Sequence, residues 1–210
     1  MKNEDRIRVF KETVKVKYTS KSIVIKELLN INEKPKIIFE ENNTVKRILD
    51  ISQKYNNISV LNFADPFDAG GLVWQGVDTQ EECLCRCSTL YKALLQDEPQ
   101  IEFYKYNLKL NKTTNRVIYS PRVLFFRDSD YKFLDKNNVK FVNVISCAAP
   151  YYNEFLNDEE IKARMKQIIA VSAYYKNDCL ILGRWGCGAF ENDWNKFQQL
   201  WNEVIMELDF

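Results

Sequence analysis

Two glutamates stand side by side at the start of a helical run, Thr79-Gln80-Glu81-Glu82. Neighbouring helix positions diverge by about 100°, so two adjacent carboxylates can take different roles: one as general acid, the other as an orienting group. The chain contains no histidine. That excludes Ser-His-Asp triads, Cys-His proteases, histidine-bearing zinc sites and every imidazole base. Any acid–base chemistry falls to carboxylates, Lys, Tyr, Cys or a metal. Glu82 also has a purely structural explanation. Thr79 at N-cap with Glu82 at N3 spells a capping box. The helix N-terminus favours the charged carboxylate, whereas burial favours the neutral acid.

The six glycines fall in two clusters, Gly70, Gly71 and Gly76, then Gly183, Gly186 and Gly188. Average usage of about 7% would give about fifteen, so glycine is scarce here and concentrated. Each cluster follows an apolar strand candidate and opens onto a helix. Glycine at such a point permits positive φ and lets backbone N–H groups approach an anion. Neither the P-loop pattern nor the GxGxxG dinucleotide fingerprint is present, so the clusters suggest a phosphate cradle of another design.

A length of 210 residues suits one domain with a real core, and 46% hydrophobic content rules out disorder as the main state. Thirty basic and twenty-nine acidic residues leave a net charge of +1, too little for a general nucleic-acid coat. Lys105, Lys109, Lys112 and Arg116 form a loose basic stretch. It reads as a solvated face, with contact to nucleic acid as the alternative. Met1–Phe10 is charged and lacks the apolar region of a signal peptide, and no window is apolar enough to span a membrane. Six cysteines without a secretion signal read as reduced thiols in a cytoplasmic protein. Cys83, Cys85 and Cys87 form C-x-C-x-C, but zinc sites favour C-x2-C, so neither metal nor cofactor is expected.

The periodicity predicts helices over residues 4–17, Val45–Tyr55, Thr79–Leu95, Glu159–Tyr175 and about Ala189–Glu207. It predicts strands at Lys36–Phe39, Ile58–Phe63, Ile101–Tyr106, Arg116–Tyr119, Val123–Phe126, Val139–Cys147 and Asp178–Gly183. Three apolar strands each lead through a loop to a helix, an α/β pattern with sites expected at the strands' carboxyl ends. Residues 1–57 are expected as a helical and strand extension packed on a core of residues 58–210, one compact domain overall. Trp185, Trp194 and Trp201 read as packing residues.

Gly70-Gly71, eight further residues and Gln80-Glu81-Glu82 together resemble the signature of the microbial poly(ADP-ribose) glycohydrolases, which are macrodomain proteins. The family pattern has three glycines, and Ala69 stands at the first. The resemblance extends through Val60–Ala64, Glu81–Tyr91, Val123–Asp128, Val144–Pro150 and Leu182–Asp193. It implies a three-layer α/β/α macrodomain with a central mixed sheet and a cleft for ADP-ribose. It also implies hydrolysis of ribose–ribose glycosidic bonds. By position, Glu82 matches the catalytic glutamate and Glu81 the neighbour that holds ribose hydroxyls. Gly70 and Gly71 match the catalytic glycine loop, preceding Gln80 of the signature. Gly186, Cys187, Gly188 and Ala189 match the diphosphate loop, Phe190 the aromatic residue near the distal ribose, and Asn62 a cleft-lining position. Besides Ala69, Tyr151 replaces a common asparagine and Glu191 a small residue.

On this reading Glu82 protonates the leaving oxygen and then takes a proton from the attacking water. The expected partner is ADP-ribose or its polymer on a modified protein, and the chain is expected to act as a monomer away from membranes. Three other readings stand beside it: a macrodomain that binds ADP-ribose without cleaving it, a hydrolase of single ADP-ribose on protein or nucleic acid, and a nucleotide-metabolising enzyme of another α/β family.

Overall fold

Alternation along three neighbouring strands places one set of side chains on each face of a sheet. Val60, Ile118 and Val144 enter one hydrophobic core, whereas Leu61, Val117 and Ile145 enter the other. The computed structural model describes residues 1–27, 38, 40–151 and 156–208. Its strands are β1 (Ile23–Ile25), β2 (Ile58–Phe63), β3 (Val117–Phe125), β4 (Lys140–Cys147) and β5 (Cys179–Ile181), in the order β1-β3-β4-β2-β5. β1–β3 and β3–β4 pair antiparallel, while β4–β2 and β2–β5 pair parallel. The mixed sheet lies between two helical layers. On one side are α1 (Asn3–Thr13), α2 (Thr44–Ile51), α3 (Gln80–Cys87) and α4 (Leu90–Leu94), on the other α7 (Asp158–Tyr174) and α8 (Trp194–Glu207). The expected three-layer α/β/α architecture is present.

The parallel trio β4-β2-β5 matters most for function, because its carboxyl ends deliver three loops to one edge of the sheet. The carbonyl of Cys147, the last residue of β4, joins two of them. It accepts the Ala64 N–H at 3.3 Å from the loop after β2 and the Trp185 indole N–H at 2.9 Å from the loop after β5. Trp185 is fully buried, as expected of a packing residue, and Trp201 is buried in the same core.

Several elements differ from the sequence expectation. Ile101–Tyr106 is helical, not extended. α5 (Asp97–Pro99), a π-helical turn (Gln100–Tyr104) and α6 (Lys105–Leu110) run on from one another. Phe103, Tyr104 and Asn107 are buried, a spacing that suits a helix face and overrides the β-propensity of the aromatic residues. The long helix expected over Thr79–Leu95 is broken at Ser88. That residue is extended (φ −145°) and bridges to Phe125, and its hydroxyl accepts the Leu90 N–H. A serine hydroxyl offers the backbone just such an alternative to continued helix. α1 and α2 stop at Thr13 and Ile51, earlier than expected, and the last helix begins at Trp194, where the Asp193 carboxylate accepts the Asn195 N–H. The two segments expected at Arg116–Tyr119 and Val123–Phe126 form one strand, irregular between Ser120 and Val123. β1 was not expected. The strand expected at Lys36–Phe39 lies outside the described residues, Ile38 excepted. Among the described residues no helix is long and apolar enough to cross a membrane.

Candidate active site

Beyond Phe63 the chain leaves the sheet through an Asx turn, in which the Asp65 carboxylate accepts the N–H groups of Phe67 and Asp68, each at 2.8 Å. Gly70 and Gly71 follow with φ of +73° and +54°. At Gly71 the absence of a side chain leaves room for the acids. A Cβ there would lie 2.6 Å from Glu82 Oε1 and 3.3 Å from Glu81 Oε2. The glycine backbone therefore packs directly on both carboxylates. Ala69, at the family's first glycine, is not among the residues of positive φ and packs partly buried against the core, so its methyl group is accommodated. Gly76 belongs elsewhere, with its carbonyl accepting from Arg6 Nε at 2.6 Å.

Glu81 and Glu82 are 2% and 4% exposed. Glu81 Oε1 accepts from Asn62 Nδ2 at 3.0 Å and Oε2 from the Asp65 N–H at 2.8 Å. Burial nonetheless pushes the Glu81 carboxyl well above the usual carboxylate range, and burial raises Asp65 as well. Glu82 Oε1 accepts the Leu72 N–H at 3.0 Å, and Oε2 accepts the Thr79 hydroxyl. The capping box expected at Thr79 is therefore not formed: Thr79 makes no side-chain bond to the helix backbone, and the two side chains bond each other instead. A true capping box occurs at Asn157 and Glu160, at the start of α7.

Asn62 is fully buried, donates to Ser146 Oγ as well as Glu81, and its Oδ1 has no hydrogen-bond partner among the described residues. Gln80 faces the sheet. Its amide donates to Leu61 O at 2.7 Å and accepts the Phe63 N–H at 3.0 Å. β5 stops pairing with β2 at Val60, so this side chain takes up the backbone groups beyond the strand's end. Asn62, Glu81, Glu82 and Gly71 thus form one cluster, with Gln80 anchoring the helix that carries the acids.

The loop after β5 forms the second part. Gly186 has φ of +76°, and a Cβ there would lie 2.6 Å from Ala149 Cβ and 2.8 Å from Asn192 Nδ2. Asn192 Nδ2 donates to Gly186 O at 3.0 Å and to Pro150 O at 2.7 Å, stapling this loop to the end of β4. The Cys187 N–H turns back to Arg184 O. The N–H groups of Gly188, Ala189 and Phe190 take no backbone acceptor among the described residues. Phe190 stacks on Tyr151 with ring centroids 4.1 Å apart. Glu191 is exposed, in left-handed backbone with φ of 60°. The two clusters meet where the Phe63 ring lies against Gly183, whose added Cβ would sit 2.8 Å from Phe63 Cζ. Sequence reasoning gave no role to Asp65 or Asn192. The Asp-Pro pair after a strand, an ordinary turn opener, was the available signal for the first.

Residues 5–128 match the family described as microbial-type PARG, catalytic domain. No curated protein matches the chain significantly in sequence. Among solved structures, the poly(ADP-ribose) glycohydrolase of Thermomonospora curvata superposes with a TM-score of 0.81 at 23% identity, covering 98% of this chain and 87% of that one. That enzyme bound to the inhibitor ADP-HPD gives 0.79 at 23% identity, covering 98% and 86%. The Deinococcus radiodurans enzyme in complex with ADP-ribose gives 0.72 at 26% identity, covering 98% and 78%. The fold is common to all three, and the family match spans the glycine loop, the two acids and β3. The chain belongs to the microbial-type PARG family and is a poly(ADP-ribose) glycohydrolase.

Proposed function

We propose that the loops at the carboxyl ends of β2, β4 and β5 bind an ADP-ribosyl unit and that Glu82 is the acid–base residue that cleaves its ribose–ribose bond. One observation carries the assignment. Glu82 is nearly buried, lies in the first turn of α3, and is packed so closely by Gly71 that an added Cβ there would collide with its carboxylate. Glu82 protonates the leaving oxygen as the anomeric carbon takes on oxocarbenium character, then accepts a proton from the attacking water. Glu81, with both oxygens engaged by Asn62 and Asp65, holds its place as the group that orients ribose hydroxyls. The N–H groups of Gly188, Ala189 and Phe190 bind the diphosphate, and Gly186 and Cys187 shape the turn that presents them. That remote binding fixes the anomeric centre against Glu82. The Phe190–Tyr151 stack packs beside the distal ribose. Gly70 supports the loop, and Gln80 acts by anchoring α3 to β2.

The six free thiols support a reducing, cytoplasmic setting. Arg116 pairs with Glu102 and lies 3.3 Å from the Tyr106 ring centroid, which favours a solvated face over a nucleic-acid contact. The test is incubation with poly(ADP-ribosyl)ated protein and, separately, with protein carrying single ADP-ribose units. Free ADP-ribose from the polymer, with the single unit left on its carrier, is the expected result. Release from the single-unit carrier alone would instead select the single-unit hydrolase.

A further inference from the structure

We infer that Thr79 is a positioning residue for Glu82, holding the carboxylate through its hydroxyl in the orientation that the chemistry uses. This rests on the reading of Glu82 as the acid–base group. The carboxylate is held by two donors from different segments: the Leu72 N–H of the glycine loop on Oε1 and the Thr79 hydroxyl on Oε2. The two donors differ in kind. A backbone N–H can only donate. A hydroxyl donates to the ionised carboxylate and, by rotating, accepts from the protonated acid. Thr79 can therefore serve Glu82 before and after proton transfer, and Leu72 cannot.

The location of Thr79 argues against a merely structural bond. Thr79 is exposed and lines a cavity of about 560 Å³ together with Asp78, Cys83 and Tyr131. The residue is thus not confined by burial, and its hydroxyl is nonetheless turned inward onto the buried carboxylate. As the N-cap residue it would be expected to bond the first-turn backbone, yet it makes no such bond.

The experiment measures kcat and KM on poly(ADP-ribosyl)ated protein, ADP-ribose affinity by calorimetry, and Tm, for Thr79→Val, Thr79→Ala, Thr79→Ser and Glu82→Gln. Loss of one hydrogen bond to a charged group corresponds to about tenfold at the low end and about a hundredfold at the high end. Thr79→Val and Thr79→Ala are expected to lower kcat at least about tenfold on that basis, with KM and ADP-ribose affinity little changed. Thr79→Ser should restore wild-type kcat, and Thr79→Val added to Glu82→Gln should cost nothing further. Should Thr79→Val fail to fold, Thr79→Ala against Thr79→Ser answers the same question. A drop in Tm with kcat unchanged would make Thr79 a structural residue and overturn the inference. If Glu82→Gln loses turnover while Thr79→Val and Thr79→Ala keep theirs, only the positioning role falls. If Glu82→Gln keeps turnover, the assignment of Glu82 falls and the role of Thr79 with it.

Discussion

Replacing Gly71 by alanine tests how closely the glycine loop is fitted to the acids. Left-handed backbone, φ +54° here, costs an L-residue roughly 1–2 kcal/mol. About 0.5–1 kcal/mol of this is recovered because alanine restricts the unfolded chain. The added Cβ would stand 2.6 Å from Glu82 Oε1, well inside van der Waals contact. The obstacle is the far end of a flexible side chain, so the fold can yield by swinging the carboxylate aside. That movement breaks the 3.0 Å bond from the Leu72 N–H, a charge-assisted bond with a net value of about 1.5–3 kcal/mol. A loss of roughly 2–4 kcal/mol follows, or a fall in Tm of about 5–15 °C for a domain of this size. The effect on catalysis is larger, since a displacement of about 1 Å at the reacting group can cost about a hundredfold in rate. Gly188→Ala is the control for stability, because among the described residues nothing lies within 4 Å of its added Cβ, and its Tm should stay within about 1 °C. Thermal melts and kcat/KM for ADP-ribose release measure both quantities. Gly71→Ala with wild-type Tm and wild-type kcat/KM would refute the packing argument.

Two further outcomes follow from the titrating groups. Because burial raises Glu81 above its ordinary value of 4.5, folded and unfolded chains are both protonated at that site below about pH 4.5. As pH rises past it, the unfolded chain releases the proton while the folded chain retains it, so stability falls, by at most about 1.4 kcal/mol per pH unit, until the folded value is reached. Glu81→Gln abolishes this term, with Asn62 able to turn its Oδ1 toward the new amide. The Tm of the variant relative to wild type should therefore climb from pH 4.5 toward neutrality, and a difference that stays flat with pH would contradict the burial argument. Among the cysteines, Cys83 is lowered by its hydrogen bond with Cys87, then by Tyr131 and Arg86, and it lines the 560 Å³ cavity. Burial pushes Cys147 up to about 12 and Cys85 well above the usual thiol range. Iodoacetamide should label Cys83 first and reach Cys85 and Cys147 only in unfolded protein, as peptide mass spectrometry would show. Equal labelling rates would count against it.

The parts of the fold legible in sequence are those dictated by one-dimensional pattern. β2 and β4 carry apolar residues on both faces, among them Val60 and Leu61 in β2 and Val144 and Ile145 in β4, because helices cover both sides of the sheet, and the two glycine clusters mark where backbone must turn at the strands' ends. The failures arise where tertiary contacts override local preference. Ile101–Tyr106 carries strand-forming residues, yet a helix buries Phe103, Tyr104 and Asn107 together. Ser88 breaks a sound helical period in order to bridge to Phe125, a partner distant in sequence. β1 is a three-residue strand with meaning only beside β3. At the site, the motif drew attention to Glu81 and Glu82, but the spacing Thr79-x-x-Glu82 fits equally a capping box and the carboxylate clamp observed. The Leu72 N–H decides between them, and its partner depends on the path of the glycine loop. The role of Asn192 is likewise invisible without the end of β4 that it staples.

The most direct test of the account compares Glu82→Gln with wild type in parallel. ADP-ribose release from poly(ADP-ribosyl)ated protein is followed by chromatography, and ADP-ribose binding by calorimetry. The account predicts release by the wild type, loss of release by at least about a hundredfold in Glu82→Gln, and ADP-ribose affinity retained in both. Turnover by Glu82→Gln at the wild-type rate would contradict it.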